Sequence, residues 1–202
     1  MSHSEKNHKH KKSMQALKGR IDSKIAAAQQ ETGICVLLSG DGKGKSTSAF
    51  GMVMRSLGYG HHVGIVQFIK GEQLSGEEIY IREKHPELPF YQMGTGFTWD
   101  TQDRDADIAA AEQTWGHAEA LLQDAAIDLL VLDELTYMLA FGYLEEDRVL
   151  QAIADRPAQQ SVIITGRGGG SGLRELVDTV SEVKSLKHAY ESGIKARKGV
   201  DY

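Results

Sequence analysis

The sequence predicts an α/β domain, a mostly parallel sheet with helices on both faces, and three observations lead there. Short apolar runs edged by glycine alternate with longer segments of helical period. Those runs are nearly continuous, as strands covered on both faces must be. Every unusual segment, residues 40–46, 94–102, 133–137 and 166–172, follows an apolar run. Open α/β sheets bind ligands beyond the carboxyl ends of their strands, so one shared site is expected.

Met14, Leu17, Ile21 and Ile25 recur at helical spacing, which predicts an amphipathic helix over 13–30, stopped by Gly33. Ile34–Leu38 predicts a buried strand and Thr47–Leu57 a helix closed by Gly58 and Gly60. A second strand over His62–Ile69 precedes a stretch rich in glycine and glutamate, and a short strand over Phe90–Met93 follows. Residues 94–102 have no period and predict a loop. Asp105–Ala126 is strongly helical, with Ile108, Ala111, Trp115, Ala118 and Leu122 along one side. Ile127–Leu132 is a buried strand, Glu145–Ala154 a helix and Ser161–Thr165 a strand. A loop of Gly168, Gly169, Gly170 and Gly172, a helix over Leu173–Val177 and a strand over Val180–Leu186 complete the order.

The chain has 202 residues, enough for one domain with a core on both sheet faces. Residues 13–202 are expected to form it, with 1–12 a basic mobile tail. Lys6, Lys9, Lys11, Lys12, Lys18, Arg20 and Lys24 outweigh Glu5 and Asp22 near the N-terminus. A solvated tail is one reading of that charge; an arm that orders over an anionic ligand is the other. The net charge of -5 argues against a general nucleic-acid binder. Cys35 is the sole cysteine, so no disulfide closes within the chain, and there is neither a membrane-length apolar run nor a signal-peptide pattern. A cytoplasmic protein with no membrane contact is expected.

The segment Gly40-Asp41-Gly42-Lys43-Gly44-Lys45-Ser46 carries the chemistry. A triphosphate needs converging backbone N–H groups, and glycines clear the approach. The helix that follows offers unpaired N–H groups and a positive dipole end. Lys45 adds a full charge, and the Ser46 hydroxyl is the usual ligand of a phosphate-bound Mg²⁺. The common pattern would place its first glycine at Ser39; here glycines fall at 40, 42 and 44. Asp133 and Glu134 end the apolar run Leu129–Leu132, where a carboxylate contact to the cation is expected; a helix N-cap at Asp133 is the structural alternative. A P-loop NTPase fold, RecA-like, is the expectation. A GTPase would need an Asn-Lys-x-Asp base-reading motif, and the only asparagine is Asn7. His61 and His62 are expected on the surface or at a dimer contact; Met52, Met54 and Met138 are expected in the core.

Five further blocks join the phosphate segment: Val66-Gln67-Phe68-Ile69-Lys70-Gly71, Gly94-Thr95-Gly96-Phe97-Thr98-Trp99-Asp100, Leu132-Asp133-Glu134-Leu135-Thr136-Tyr137, Ile164-Thr165-Gly166-Arg167-Gly168, and the ending Gly199-Val200-Asp201-Tyr202. With them, the sequence from about residue 14 onward resembles the P-loop corrinoid adenosyltransferases. The resemblance implies transfer of the 5′-deoxyadenosyl group of ATP to the Co(I) of cobalamin, cobinamide or cobyrinic acid diamide, with release of triphosphate. It implies ATP contacts from residues 40–46 and Arg167, and Mg²⁺ or Mn²⁺ held by Ser46 and Glu134. Phe97 and Trp99 are implied as an apolar wedge below the corrin that removes an axial ligand and eases reduction of Co(II); packing on the core is the alternative for two such aromatics. Lys45, Phe97, Trp99 and Glu134 are thus the expected catalytic set. A homodimer, a reduced flavin or flavodoxin-type electron donor, and closure of the N-terminal helix over bound substrates are further implications. Asp41 departs from the family's usual asparagine; its charge opposes a triphosphate unless it points outward. A small-molecule kinase or ATPase releasing ADP is the competing reading.

Overall fold

The computed structural model describes residues 3–69, 74–94 and 103–202. Phe97 and Trp99 lie outside the described residues. The chain divides into two units, Met1–Thr32 and Gly33–Tyr202. The first holds one helix, α1 (His3–Ala27), which begins well before residue 13. Its opening run of Glu, Lys, His and Asn contains no proline or glycine before Gly19, so nothing interrupts helical backbone there. The apolar positions Met14, Leu17, Ile21 and Ile25 are exposed.

Among its described residues the second unit contains six parallel strands ordered β3-β2-β4-β5-β1-β6. These are β1 (Cys35–Ser39), β2 (Val63–Gln67), β3 (Phe90–Gln92), β4 (Leu129–Asp133), β5 (Ser161–Thr165) and β6 (Thr179–Glu182). Among the described residues, the α-helices of this unit are α2 (Lys45–Gly58), α3 (Gly76–Lys84), α4 (Arg104–Gln123), α5 (Leu135–Ala140), α6 (Glu146–Ala154) and α7 (Ser171–Leu176), with a 3-10 turn at Ala189–Ser192. β1, β2 and β4 are buried along their whole length, which explains their unbroken apolar runs.

Strand alternation assigns each side chain a face. Val36, Leu38, Ile65, Val131 and Ile163 pack with Ala49, Phe50 and Val53 of α2 and Ile81 of α3. On the opposite face Leu37, Val66, Leu130, Leu132, Val162 and Ile164 meet Trp115, Ala118 and Leu122 of α4, Leu135 and Met138 of α5, and Val149 and Ile153 of α6. The parallel sheet covered on both sides is the architecture the sequence predicts, and it is consistent with a P-loop NTPase-like fold.

Several details differ from the sequence reading. α3 and α5 were not anticipated: α3 lies in the glycine- and glutamate-rich stretch, capped by the Ser75 side chain, which accepts from Glu78 N–H. α5 is a short helix directly after β4. β6 ends at Glu182, short of Leu186, because the chain then leaves the sheet edge to pass the phosphate segment, where Val183 C=O accepts from Gly42 N–H at 2.7 Å. Met138 is fully buried and Met52 partly so, but Met54 is 45% exposed and not a core residue. Among the described residues no helix is long and apolar enough to cross a membrane.

Candidate active site

The carboxyl ends of β1, β4, β5 and β2 open onto one cleft of about 630 Å³. Its lining includes Gly42, Lys43, Gly44, Lys45, Ser46 and Thr47 from the turn between β1 and α2, Asp133 and Glu134 after β4, and Arg167 after β5. The structure therefore gathers most of the residues the sequence singled out. Gly40 and Asp41 do not line the cleft, and Asp41 is exposed. Asp41 nonetheless lies near enough to Lys45 to favour its charged form.

The glycines of the turn serve two purposes. A Cβ on Gly40 would lie 2.5 Å from Val183 O, and one on Gly42 2.8 Å from the carbonyl of Lys184. Both positions are therefore empty of side chain so that the backbone after β6 can pass. Gly44 has open space on its Cβ side; its φ of 119°, immediately before α2, is what demands glycine. Ser39 stays in β1, with its hydroxyl accepting from Arg174 Nη2 at 3.0 Å, and the turn starts at Gly40 with φ 99°. The first glycine therefore falls at 40 instead of 39, while Gly44-Lys45-Ser46 keeps the common pattern.

Lys45 is only 5% exposed, and its ammonium donates to Gly42 O at 3.0 Å, across the loop. Burial lowers its pKa from the ordinary lysine value, opposed chiefly by Glu134. Lys43 turns the other way, to Asp201 Oδ1 at 2.9 Å.

Asp133 is committed inside the protein. Its Oδ1 accepts from Thr165 Oγ1 at 2.7 Å and its Oδ2 from Gln67 Nε2 at 2.8 Å. Thr165 Oγ1 in turn accepts from Glu134 N–H at 2.9 Å. The chain of polar groups continues, because Gln92 Nε2 donates to Gln67 Oε1 at 2.9 Å and to Glu78 Oε2 at 2.8 Å. Asp133 is thus not a helix cap; its two hydrogen bonds fix the backbone from which Glu134 projects. Glu134 adopts φ 61°, strained for a residue with a side chain, and precedes α5 without a side-chain cap bond. Its Oε2 is buried with no hydrogen-bond partner among the described residues. Burial first, and Asp133 second, push its carboxyl up to about 7, against the pull of Lys45 and Arg167.

Gly166, with φ 149°, sits where any Cβ would run into Thr136 Oγ1, so the turn carrying Arg167 packs tightly on α5. Thr136 Oγ1 also donates to Arg167 O at 3.3 Å. His61 and His62 are exposed at the far end of β2, and His62 Nδ1 lies 3.7 Å from Asp128 Oδ2.

Sequence reasoning missed several cleft residues: Thr47, Phe50, Gln67, Ile69, Ser75, Gly76, Glu77 and His188. Gln67 had a signal, being the lone polar side chain in an apolar strand. His188 had none, because a turn after the last strand brings it to the site.

A family model described as ATP:corrinoid adenosyltransferase BtuR/CobO/CobP matches residues 31–202. A Pseudomonas aeruginosa protein named corrinoid adenosyltransferase is 52% identical over 198 residues, covering 98% of each chain. An Escherichia coli K12 protein of the same name is 50% identical, over 93% of this chain and 95% of its own. A Sinorhizobium protein, also so named, is 38% identical over 96% of this chain and 92% of its own.

Proposed function

From the premise that this chain belongs to the ATP:corrinoid adenosyltransferase BtuR/CobO/CobP family, we propose that it moves the 5′-deoxyadenosyl group of ATP onto the Co(I) of a corrinoid and releases triphosphate. The observation that carries this reading is the cleft itself. A glycine turn, a buried lysine and a carboxylate whose Oε2 has no hydrogen-bond partner among the described residues line one space at the strand ends, the arrangement a polyphosphate and its cation require.

The reaction asks little of the protein in proton transfer. Co(I) supplies an electron pair to C5′, the Co–C bond forms, the C5′–O bond breaks, and that bond's electrons leave on the triphosphate. No proton moves, so no general base is needed. What the chain must do is align C5′ with cobalt and stabilise the charge that grows on the departing oxygen. Lys45, the N–H groups at the start of α2 and Arg167 meet that second need.

Mg²⁺ or Mn²⁺ fits the residues present. The Ser46 hydroxyl and the Glu134 carboxylate are hard oxygen donors, and Glu134 Oε2 has no hydrogen-bond partner among the described residues. Among the described residues no group of three or more His, Cys, Asp or Glu side chains can hold a metal alone, so the ion would arrive with the nucleotide. It would neutralise charge between phosphates and carboxylate. Phe97 and Trp99 take the role of the apolar wedge below the corrin, the electron donor is a reduced flavin or flavodoxin-type protein, and the working form is a cytoplasmic homodimer; family membership supports these points.

The test is to mix the chain with ATP, Mg²⁺ and chemically reduced cobalamin in the dark. The Co(I) spectrum gives way to that of a light-sensitive alkylcobalamin, and triphosphate accumulates in equal amount. Release of ADP, or no spectral change beyond a protein-free control, overturns the reading.

A further inference from the structure

The two lysines of the phosphate turn are treated differently by the fold. Lys45 is buried and bonded across the loop, whereas Lys43 lines the same cleft with its ammonium on Asp201. Asp201 does not depend on Lys43 for its place. Its Oδ2 accepts from Arg197 N–H at 2.8 Å, its own N–H donates to Arg197 O at 2.8 Å, and Gly199 N–H donates to Tyr202 O at 2.7 Å. A closed turn over 197–202, with Gly199 at φ 78°, therefore fixes the carboxylate, and the lysine comes to it. Asp201 and its neighbours Gly199, Val200 and Tyr202 form one wall of the cleft.

We infer that Asp201 is a positioning residue that withholds the Lys43 ammonium from the phosphate cradle and so lets the cleft give up triphosphate. The inference rests on the reading of this cleft as a triphosphate site. Breaking the C5′–O bond turns an esterified triphosphate into a free one with an additional negative charge. Every cation in the cradle favours that product as well as the path to it, and an enzyme that binds its product too tightly turns over slowly. Pairing Lys43 with Asp201 cancels one such charge. The consequence has a distinctive sign: removing Asp201 strengthens polyphosphate binding, and does so more for free triphosphate than for ATP.

The experiment uses the full chain and inorganic triphosphate with Mg²⁺, followed by titration calorimetry. Asp201→Asn keeps a carbonyl oxygen for Arg197 N–H while discarding the ion pair. It binds triphosphate about threefold to fivefold more tightly than the parent, the span that a partly exposed charge pair delivers. Asp201→Ser breaks the same pair and moves affinity the same way. Lys43→Met abolishes the gain, so Lys43→Met and Lys43→Met/Asp201→Asn bind alike. With ATP and Co(I), the later turnovers of Asp201→Asn slow relative to its own first turnover. Unchanged or weaker triphosphate binding in both Asp201 variants overturns the inference, as does a gain that persists without Lys43. A purely structural Asp201 gives that weaker binding. If the parent chain fails to bind triphosphate at all, the reading of the cleft falls first and this inference with it.

Discussion

Replacing Glu134 by glutamine tests whether the site stores the cost of a buried ionised carboxylate that Lys45 and Arg167 only partly compensate. Burial and Asp133 raise the Glu134 carboxyl from 4.5 to about 7 in the folded chain. At about 1.4 kcal/mol per pH unit, ionising it in the cation-free protein costs roughly 3 kcal/mol relative to the unfolded chain. The folded state holds its proton more tightly than the unfolded one. The parent chain is therefore favoured below about pH 4.5 and loses stability as pH climbs to about 7, with no further loss above. Glu134→Gln is neutral throughout and escapes that loss. In EDTA, the variant's melting temperature exceeds the parent's by ~6–12 °C at pH 8, taking about 2–4 °C per kcal/mol for a chain of this size, and the excess shrinks toward zero near pH 4.5. Adding Mg²⁺ and ATP at pH 8 narrows the gap, because only the parent offers a carboxylate to the ion. Scanning fluorimetry across pH measures all of this. A difference that stays flat from pH 5 to pH 8, or a variant less stable than its parent at pH 8 in EDTA, refutes the electrostatic account of Glu134.

The same logic of separating roles applies elsewhere. Trp99→Ala slows the reaction begun from Co(II) corrinoid more than the reaction begun from preformed Co(I), because a wedge serves reduction rather than alkyl transfer; equal losses in paired spectroscopic assays count against it. Gly42→Ala drives a Cβ to 2.8 Å from the Lys184 carbonyl and lowers stability to urea by ~1–3 kcal/mol, since backbone cannot yield cheaply. Gly44→Ala meets nothing within 4 Å and bears only the conformational cost of its φ of 119°, about 1–2 kcal/mol, so any loss of ATP affinity it shows arises without a packing clash.

Much of this protein was legible before folding because its signals are local. Continuous apolar runs, 3.6-residue patterns and glycines at the strand-to-helix turn act over a few neighbours, so the order of the strands and of most helices, the phosphate turn and the candidate cluster of Lys45, Ser46 and Glu134 could be read directly. α5 left no such mark: it is less than two turns long and is held by the residues it packs on.

Which carboxylate the fold ties down by hydrogen bonds was not local information. Asp133 and Glu134 are adjacent and chemically alike, yet Thr165 and Gln67, brought alongside by β5 and β2, each donate to one oxygen of Asp133, whereas Glu134 Oε2 has no hydrogen-bond partner among the described residues. Nor does the sequence tell why each glycine is there, since Gly40 and Gly42 make room for a strand exit remote along the chain, not for phosphate alone. The partition of Lys43 and Lys45 between Asp201 and the loop is of the same kind. Sequence fixes backbone preference and the available charges. Pairing between groups distant along the chain depends on which strands lie side by side, and that is decided only when the sheet closes its order in three dimensions.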